Sequence, residues 1–297
     1  FYDIINYIRP DNLNTIFPKI GKAFIELTAS GRQRDKNKTG RLDQDFANLF
    51  GGGSMAEDTD LVFEKVIAGE SKNIKIYNWE NEGDFEDLLS DVLEKELSIN
   101  NTDSFNKSLG ATDGGFFNRN DSVKKIEDWQ LLSPLRSKVF GTTQVNRSIH
   151  QKFKNETVSW AKKGNKTPGP FGNEEIVYGE KVINLSNHKR EDYTYPKDGI
   201  NYLANGEIGI AIGKCEWKNK KFAKSPFQLQ VEFSSQKGYS YQFTSNDFNE
   251  EKGNALELAY ALTIHKAQGS QFNTVLLILP EPCLLLSREL IYTALTR

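Results

Sequence analysis

The chain has 297 residues, enough for one large domain or about two domains with a buried core. Its 38 basic and 40 acidic residues nearly cancel, which excludes a strongly basic field over the whole protein and restricts any nucleic-acid site to a local patch. Two cysteines, Cys215 and Cys283, favour a reducing, cytoplasmic setting over a disulfide framework. No apolar run approaches the roughly 20 residues of a membrane span, so no membrane partner is expected. A chain that opens on Phe1 is interpreted as part of a longer polypeptide.

The first half of the sequence predicts an α/β domain. Residues 73–79 alternate apolar and polar side chains and predict a strand. Apolar residues at three- and four-residue spacing over 85–97 predict a helix. Residues 100–122, rich in Asn, Asp, Ser and Gly, predict a surface insertion, after which 129–134 and 143–153 predict a second strand and a second helix. This alternation favours crossover connections and a parallel sheet.

The second half interrupts that pattern. Short β-rich runs separated by Gly, Asn and Lys turns fill residues 176–255 and predict a small antiparallel barrel. From Leu256 the α/β pattern resumes, with a strand into Thr263, a short helix, the apolar strand 275–279 and a final amphipathic helix. The barrel is therefore expected to be inserted into the α/β domain.

Several kinds of chemistry are excluded by the missing motifs. No G-x-x-x-x-G-K-[ST] loop occurs, so the chain lacks the nest of backbone amides that cradles nucleotide phosphates. Gly206, Gly209 and Gly213 do not have dinucleotide-binding spacing and are interpreted as strand and turn glycines. Three scattered histidines and two cysteines predict no metal site, and no Ser-His-Asp arrangement is evident.

Four segments resemble a known family. The sequence "TIHKAQGSQF" at 263–272 resembles motif V of superfamily 1 helicases, and "RELIYTALTR" at 288–297 resembles motif VI. Together with "LLSPLR" at 131–136 and the run from 179 to 212, they are similar to the RecD-like and Dda-like branch, of the exonuclease V alpha-subunit type, in its C-terminal portion. The resemblance implies an α/β fold, in which a RecA-like parallel sheet of the P-loop type, the second motor domain, is interrupted by a small SH3-like β-barrel.

The resemblance also implies a division of the chain into four parts. Residues 1–72 would be the remainder of the first RecA-like domain and a linker, and 73–175 the first part of the second RecA-like domain. Residues 176–255 would form the barrel insertion, and 256–297 the last part of the second domain, with motifs V and VI.

Residues for a nucleotide site follow from the resemblance. Arg297 matches the motif VI arginine and would serve as an arginine finger that neutralises charge on the γ-phosphate, unless it is only a surface arginine at a helix end. Arg32 matches a second γ-phosphate sensor, although Arg34 could be mistaken for it. Gly269 would permit close approach to a phosphate because it has no Cβ. Gln271 stands where many relatives have a ribose-binding Glu, and an amide can also form hydrogen bonds.

Residues for a nucleic-acid site come from the same segments. Thr263 and His265 resemble residues that contact the DNA backbone, while Thr263 could equally cap the short helix after it, and His265 could be an ordinary partly buried histidine. Gln268 lies between the two halves of the motif and could couple the two ligands. The motif IV region supplies the remaining candidates: Ser133, Pro134, Arg136 and Asn146.

The charge pattern gives separate support for nucleic-acid binding. Residues 136–166 contain eight basic side chains and one acidic one, whereas 77–128 contain thirteen acidic and five basic ones. This separation is typical of a nucleic-acid face with an acidic back. Trp160 lies among the lysines, where a base could stack on it, or it could equally be a core tryptophan of a solvated helix.

The function expected from these residues is that of the C-terminal part of an ATP-dependent, 5′-to-3′ DNA helicase. It would bind single-stranded DNA and share an ATP and Mg²⁺ site with an N-terminal RecA-like domain of the same parent chain. Without a P-loop, these 297 residues alone are expected to hydrolyse no ATP and to bind no cofactor. The alternatives are a non-catalytic nucleic-acid-binding or scaffold module and a motor subunit of an exonuclease complex, with a nuclease as partner.

Overall fold

The structure, a computed structural model, describes residues 42–51, 59–163, 169–190, 194–200, 202–212, 215–216, 221–222, 228–249 and 253–297. Within these ranges the helices are α1 (Leu42–Asn48), α2 (Thr59–Ile67), α3 (Glu82–Leu97), α4 (Thr102–Ser108), α5 (Thr142–Lys162) and α6 (Arg288–Leu295). None of these helices has the length and apolar character needed to cross a membrane.

The strands within the same ranges are short, and most lie between 181 and 258. They are β1 (Trp129–Ser133), β2 (Lys181–Asn184), β3 (His188–Lys189), β4 (Thr194–Tyr195), β5 (Tyr202–Leu203), β6 (Ile208–Ile212), β7 (Cys215–Glu216), β8 (Lys221–Phe222), β9 (Gln228–Phe233), β10 (Ser240–Thr244), β11 (Phe248–Asn249), β12 (Gly253–Asn254), β13 (Leu256–Leu258), β14 (Ala261–Thr263) and β15 (Thr274–Leu277).

A three-stranded parallel sheet has the order β14–β1–β15, as the alternating strands and helices predict. The central strand β1 is buried along its whole length, including the polar Gln130 and Ser133. The Gln130 side-chain nitrogen Nε2 donates to the carbonyls of Ala259 and Tyr260 at 3.0 and 2.8 Å. The first turn of α5 follows β1 through a short loop, so the helix runs back along the sheet.

A second, antiparallel sheet has the order β13–β2–β6–β9–β10–β4. This confirms the antiparallel character predicted for residues 176–255. Among the described residues the sheet is open, because no pairing joins β13 to β4, and a closed barrel is not seen there. The sheet also includes β13, which lies just beyond the predicted end of the insertion, and its core is continuous with that of the parallel sheet.

The strand predicted over 73–79 is wrong. Residues 73–79 form no strand, and no described strand pairs with them. Its side chains bind α3 instead: the Lys75 ammonium and the Tyr77 hydroxyl both donate to the Glu96 carboxylate at 2.7 Å. Side-chain bonds to a helix thus take the place of pairing with another strand in this stretch.

The surface insertion predicted over 100–122 is also wrong. Phe105 is fully buried and stacks on Phe153 of α5, with ring centroids 4.4 Å apart. The polar residues that indicated a loop form a helix cap: the Asn101 side chain accepts from the Ser104 amide at 2.8 Å, and the Ser104 hydroxyl accepts from the Asn101 amide at 3.1 Å. Caps and loops share a composition, which explains the error.

The described part of 1–72 packs on the final helix. The Phe46 ring of α1 stacks against Phe63 of α2 with centroids 6.0 Å apart. The Arg288 guanidinium at the start of α6 donates to the carbonyl of Leu49 at 2.7 Å. Helices α1 and α6 are therefore in direct contact.

Buried charges join α5 to both sheets. The Glu180 carboxylate, fully buried, accepts from the Tyr260 hydroxyl and lies 2.8 Å from His150 Nδ1. Burial lowers the pKa of His150, but the hydrogen bond and negative charge of Glu180 outweigh burial, so this pKa lies above its ordinary value. Burial also lowers the pKa of Lys154 to about 8 and that of Lys181 to about 7. The Lys181 ammonium donates to the carbonyl of Trp129 at 2.7 Å.

We predict that Lys181→Met removes part of the pH dependence of stability. Because the pKa of Lys181 falls from 10.5 to about 7 on folding, the unfolded chain binds the extra proton between these values. The free energy of unfolding therefore gains up to about 1.4 kcal/mol per pH unit from this group as pH rises through that window. Urea unfolding at pH 7, 8 and 9 would measure the slope. The exposed Lys189→Met is the control, and equal slopes in the two variants would contradict the prediction.

Candidate nucleotide and nucleic-acid interface

The segment 263–272 connects opposite edges of the parallel sheet. Ser133 pairs with Thr263 at the edge where β1 and β14 end, which we call the carboxyl edge. Trp129 pairs with Thr274 at the edge where β1 and β15 begin, the amino edge. Four residue steps of β1 separate these edges, or about 13 Å. The two halves of the segment therefore face different surroundings.

At the carboxyl edge, Ser133 and Pro134 are buried. The Ser133 hydroxyl donates to the carbonyl of Phe140 at 3.0 Å and accepts from the Leu135 amide at 3.1 Å. Both residues shape the turn into α5, and their burial corrects their assignment as groups that touch a DNA strand.

Asn146 is corrected in the same way. Its side chain is buried in the first half of α5, where Nδ2 donates to the carbonyls of Leu258 and Ala261, both at 3.0 Å. Its Oδ1 accepts from the Ala261 amide at 2.7 Å. These bonds hold the corner between β13 and β14, so the amide is not available to a strand outside.

Thr263 and His265 remain candidates at this edge. The Thr263 hydroxyl lies 3.4 Å from the Lys266 amide, which is a weak version of the predicted capping contact. The residues that follow form turns over 264–269 in place of the predicted short helix. His265 is exposed on these turns and faces solvent.

Two cations and one carboxylate complete the carboxyl edge. The Arg136 guanidinium lies 3.0 Å from Glu257 Oε2, and the Lys266 ammonium contacts Glu257 Oε1. Arg136 therefore lies on the surface and stays a candidate for contact with DNA. Lys266 and Glu257 were missed by the sequence analysis, although Lys266 is the fourth residue of the quoted segment. Their pairing depends on the turn after β14, which the sequence does not show.

Three further residues of the segment are exposed: Gln268, Gly269 and Gln271. Gly269 has φ +94°, a left-handed conformation that favours glycine, and a Cβ there would meet no other atom within 4 Å. The loop is thus open enough for a phosphate or a sugar to approach its backbone.

Arg297 lies next to this loop. Its carbonyl accepts from the amide of Phe272, the residue after Gln271, at 2.8 Å. Its guanidinium Nε donates to the carbonyl of Thr293 at 3.0 Å, one turn back on α6. The backbone of Arg297 is therefore bonded to the segment one residue after Gln271. Arg32, the other predicted arginine, lies outside the described residues.

The basic stretch 136–166 does not form one surface. Lys154 is buried among aromatic rings, with its ammonium 2.7 Å from Asn106 Oδ1, and Lys162 pairs with Glu175. Trp160 is 46% exposed, which contradicts its core interpretation. It lies 18 residues beyond Thr142, roughly 27 Å along α5, and so is not grouped with the carboxyl edge.

Trp160 borders a separate open pocket. The pocket has a volume of about 380 Å³, and Phe116 and Tyr178 also line it. Across the described ranges, no group of three or more His, Cys, Asp or Glu side chains is placed to hold a metal ion.

Comparison with known proteins supports the helicase resemblance. Residues 258–297 match the family described as the UvrD-like helicase C-terminal domain. The ATP-dependent RecD2 DNA helicase of Deinococcus radiodurans is 60% identical over 174 residues, which cover 57% of this chain and 18% of that protein. The RecBCD enzyme subunit RecD of Buchnera aphidicola is 24% identical over 238 residues, 80% of this chain and 33% of that protein.

Two further similarities say less about function, the first because that protein is uncharacterized and the second because the structural overlap is low. An uncharacterized protein of Methanocaldococcus jannaschii is 27% identical over all of this chain, which spans 24% of its length. A solved structure of Pif1 helicases at forked DNA overlaps 75% of this chain and 46% of that one, at 17% identity and a TM-score of 0.31. The architecture therefore rests on the strand pairing described above. The chain spans a third or less of each of these three sequence relatives.

We predict that Asn146→Ala destabilises the protein by about 2–4 kcal/mol, because two carbonyls and one amide lose their partner inside the protein. Urea unfolding would measure the change. Asn155→Ala, an exposed position on the same helix, serves as the matched control and should change stability little. An Asn146→Ala protein that unfolds like the control but loses affinity for single-stranded DNA would restore the nucleic-acid role.

Proposed function

The resemblance to the C-terminal portion of RecD-like superfamily 1 helicases is confirmed, and from that premise we propose that this chain serves an ATP-dependent DNA helicase of 5′-to-3′ polarity. It binds single-stranded DNA at the carboxyl edge and contacts ATP near the amino edge. One observation carries the proposal: the 263–272 segment begins with Thr263 at the carboxyl edge and ends at Phe272, bonded to Arg297, two residues before Thr274 at the amino edge.

The DNA role is supported by the groups at the carboxyl edge. His265 is exposed, Arg136 has most of its side chain in solvent, and Lys266 follows His265 in the turn. Ligands of open α/β sheets bind outside the carboxyl ends of the strands. The antiparallel sheet would close into an SH3-like barrel that guides the same strand.

The nucleotide role requires a second domain. This chain has no phosphate-binding loop, so a P-loop domain of the same protein would hold the phosphates and Mg²⁺. Gly269 offers an open backbone, Gln268 and Gln271 offer exposed amides, and Arg297 offers a planar cation beside them. Hydrolysis of the bound ATP would supply the free energy that moves the DNA strand. Arg32 would join this group from the region before α1.

A role in a nuclease complex is the second candidate. Relatives of this chain are named as RecD subunits of the RecBCD enzyme, which favours a motor that works beside other subunits. A non-catalytic nucleic-acid-binding module is the alternative if Arg297 contributes nothing to turnover.

The isolated chain should bind single-stranded DNA weakly and with a clear salt dependence. If about three phosphates are neutralised, the logarithm of the affinity should fall with the logarithm of salt concentration at a slope near −2, from about 0.7 per phosphate. Anisotropy of a labelled oligothymidylate of 20 nucleotides, measured between low and moderate salt, gives this slope. His265→Ala should weaken binding. A salt-independent affinity, or no binding at low salt, would count against the proposed interface.

In a protein where this chain follows its P-loop domain, Arg297→Lys should lower DNA-stimulated ATP turnover by orders of magnitude. The substitution keeps the charge but loses the planar fork that fits a phosphoryl group. ATP affinity and DNA binding should change little, because the contact strengthens mainly in the transition state. Steady-state turnover and nucleotide binding would separate the two effects.

Arg288→Lys on the same helix is the control for helix stability, since Lys and Arg have similar helix propensity. This variant should turn over ATP nearly normally. The 297-residue chain alone should show no turnover and gives the baseline. Unchanged turnover in Arg297→Lys would remove this residue from the site and favour the non-catalytic alternative.

A further inference from the structure

Two cations converge on one carboxylate at the carboxyl edge. Arg136 lies 3.0 Å from one oxygen of Glu257, and Lys266 contacts the other. The Arg136 side chain is 59% exposed, whereas those of Lys266 and Glu257 are 27% and 18% exposed. The cluster is therefore accessible from solvent on the arginine side and fixed on the other.

The three side chains come from different elements, each with its own anchor. Glu257 is in β13, where it pairs with Ile183 of β2. Arg136 follows β1, and its carbonyl accepts from the Thr143 amide at 3.0 Å. Lys266 lies in the turn after β14, with its amide at the Thr263 hydroxyl. Their convergence results from the packing of both sheets, because no short segment contains all three.

We propose that Arg136 and Lys266 form a subsite for one phosphodiester group of the DNA strand, and that the Glu257 carboxylate occupies this subsite when no strand is present. The proposal rests on the proposed DNA-binding function. A carboxylate and a phosphodiester each present two anionic oxygens on one central atom, so both can bridge an arginine and a lysine. Glu257 thus stands where a phosphate would bind.

The exchange is energetically accessible. A partly exposed ion pair contributes little to stability, so an incoming phosphate can displace the carboxylate at a small cost in free energy. The displaced Glu257 then carries an unpaired negative charge near the strand, which weakens binding. The residue would limit how tightly one nucleotide is held, which suits a strand that must move.

Glu257→Gln tests the proposal, because it keeps the shape of the side chain and removes its charge. We expect this variant to bind the oligothymidylate roughly threefold to tenfold more tightly at low salt. The salt slope should become steeper by about 0.7, since one more phosphate contact is no longer offset by the released carboxylate. Lys266→Gln should weaken binding in both the parent chain and the Glu257→Gln chain.

The exposed Glu86→Gln in α3 is the matched control for the change in net charge. Affinity and slope in Glu257→Gln equal to those of Glu86→Gln would overturn the subsite, while leaving the DNA-binding function in place. Weaker binding by a Glu257→Gln chain with unchanged thermal unfolding would also overturn it. A parent chain that binds no single-stranded DNA contradicts the proposed function itself, and the subsite falls with it.

Discussion

The candidate site depends on the corner that Asn146 holds between β13 and β14. At this corner the chain leaves the antiparallel sheet and enters the parallel one, so backbone groups of both strands lose their regular partners. A single side-chain amide from α5 satisfies three of them. Because Glu257 precedes the corner and Thr263 follows it, the same amide sets the separation between the carboxylate and the turn that carries Lys266. A buried amide is effective here, since its donors and acceptor are fixed in one plane.

Buried charged side chains also hold α5 and the two sheets together near this corner. Glu180 accepts from Tyr260 and pairs with His150, so α5, the start of β2 and the start of β14 share one carboxylate. Lys181 fills the space between the Trp129 and Phe272 rings, with its ammonium 5.1 and 5.6 Å from their centroids. Such groups stabilise little by themselves, because desolvation offsets the attraction between charges. We infer that these buried groups restrict which surfaces of α5 and the two sheets can pack together.

The sequence predicted those parts of the fold that local patterns encode. Helix α3 was predicted from the spacing of its apolar residues, β1 from a short run that ends at Pro134, and the antiparallel strands from their β-rich runs and turns. The region around Phe105 was not, because cap residues and loop residues have the same composition. At the site, motif resemblance selected Arg297, whose carbonyl is bonded to the 263–272 segment at Phe272. It also assigned Asn146 to DNA, since a linear motif does not show whether a polar side chain points inward. Glu257 was missed because its partners come from elements distant in sequence.

The strand pairing at both ends constrains the length of the segment that joins β14 to β15. Residues 264–273 leave the sheet beside Ser133 and re-enter it beside Trp129, and Phe272 is bonded to the carbonyl of Arg297 at the end of α6. The registers of β14 and β15 against β1 fix both attachment points, so the segment must span a set distance with a set number of residues. Side chains along it can vary while the two ends keep their positions. An insertion or deletion of one residue would have to be absorbed by the turns over 264–269, because a shift of β15 by one register position would turn each of its side chains to the opposite face. Evolution of this segment is therefore expected to proceed by substitution at constant length.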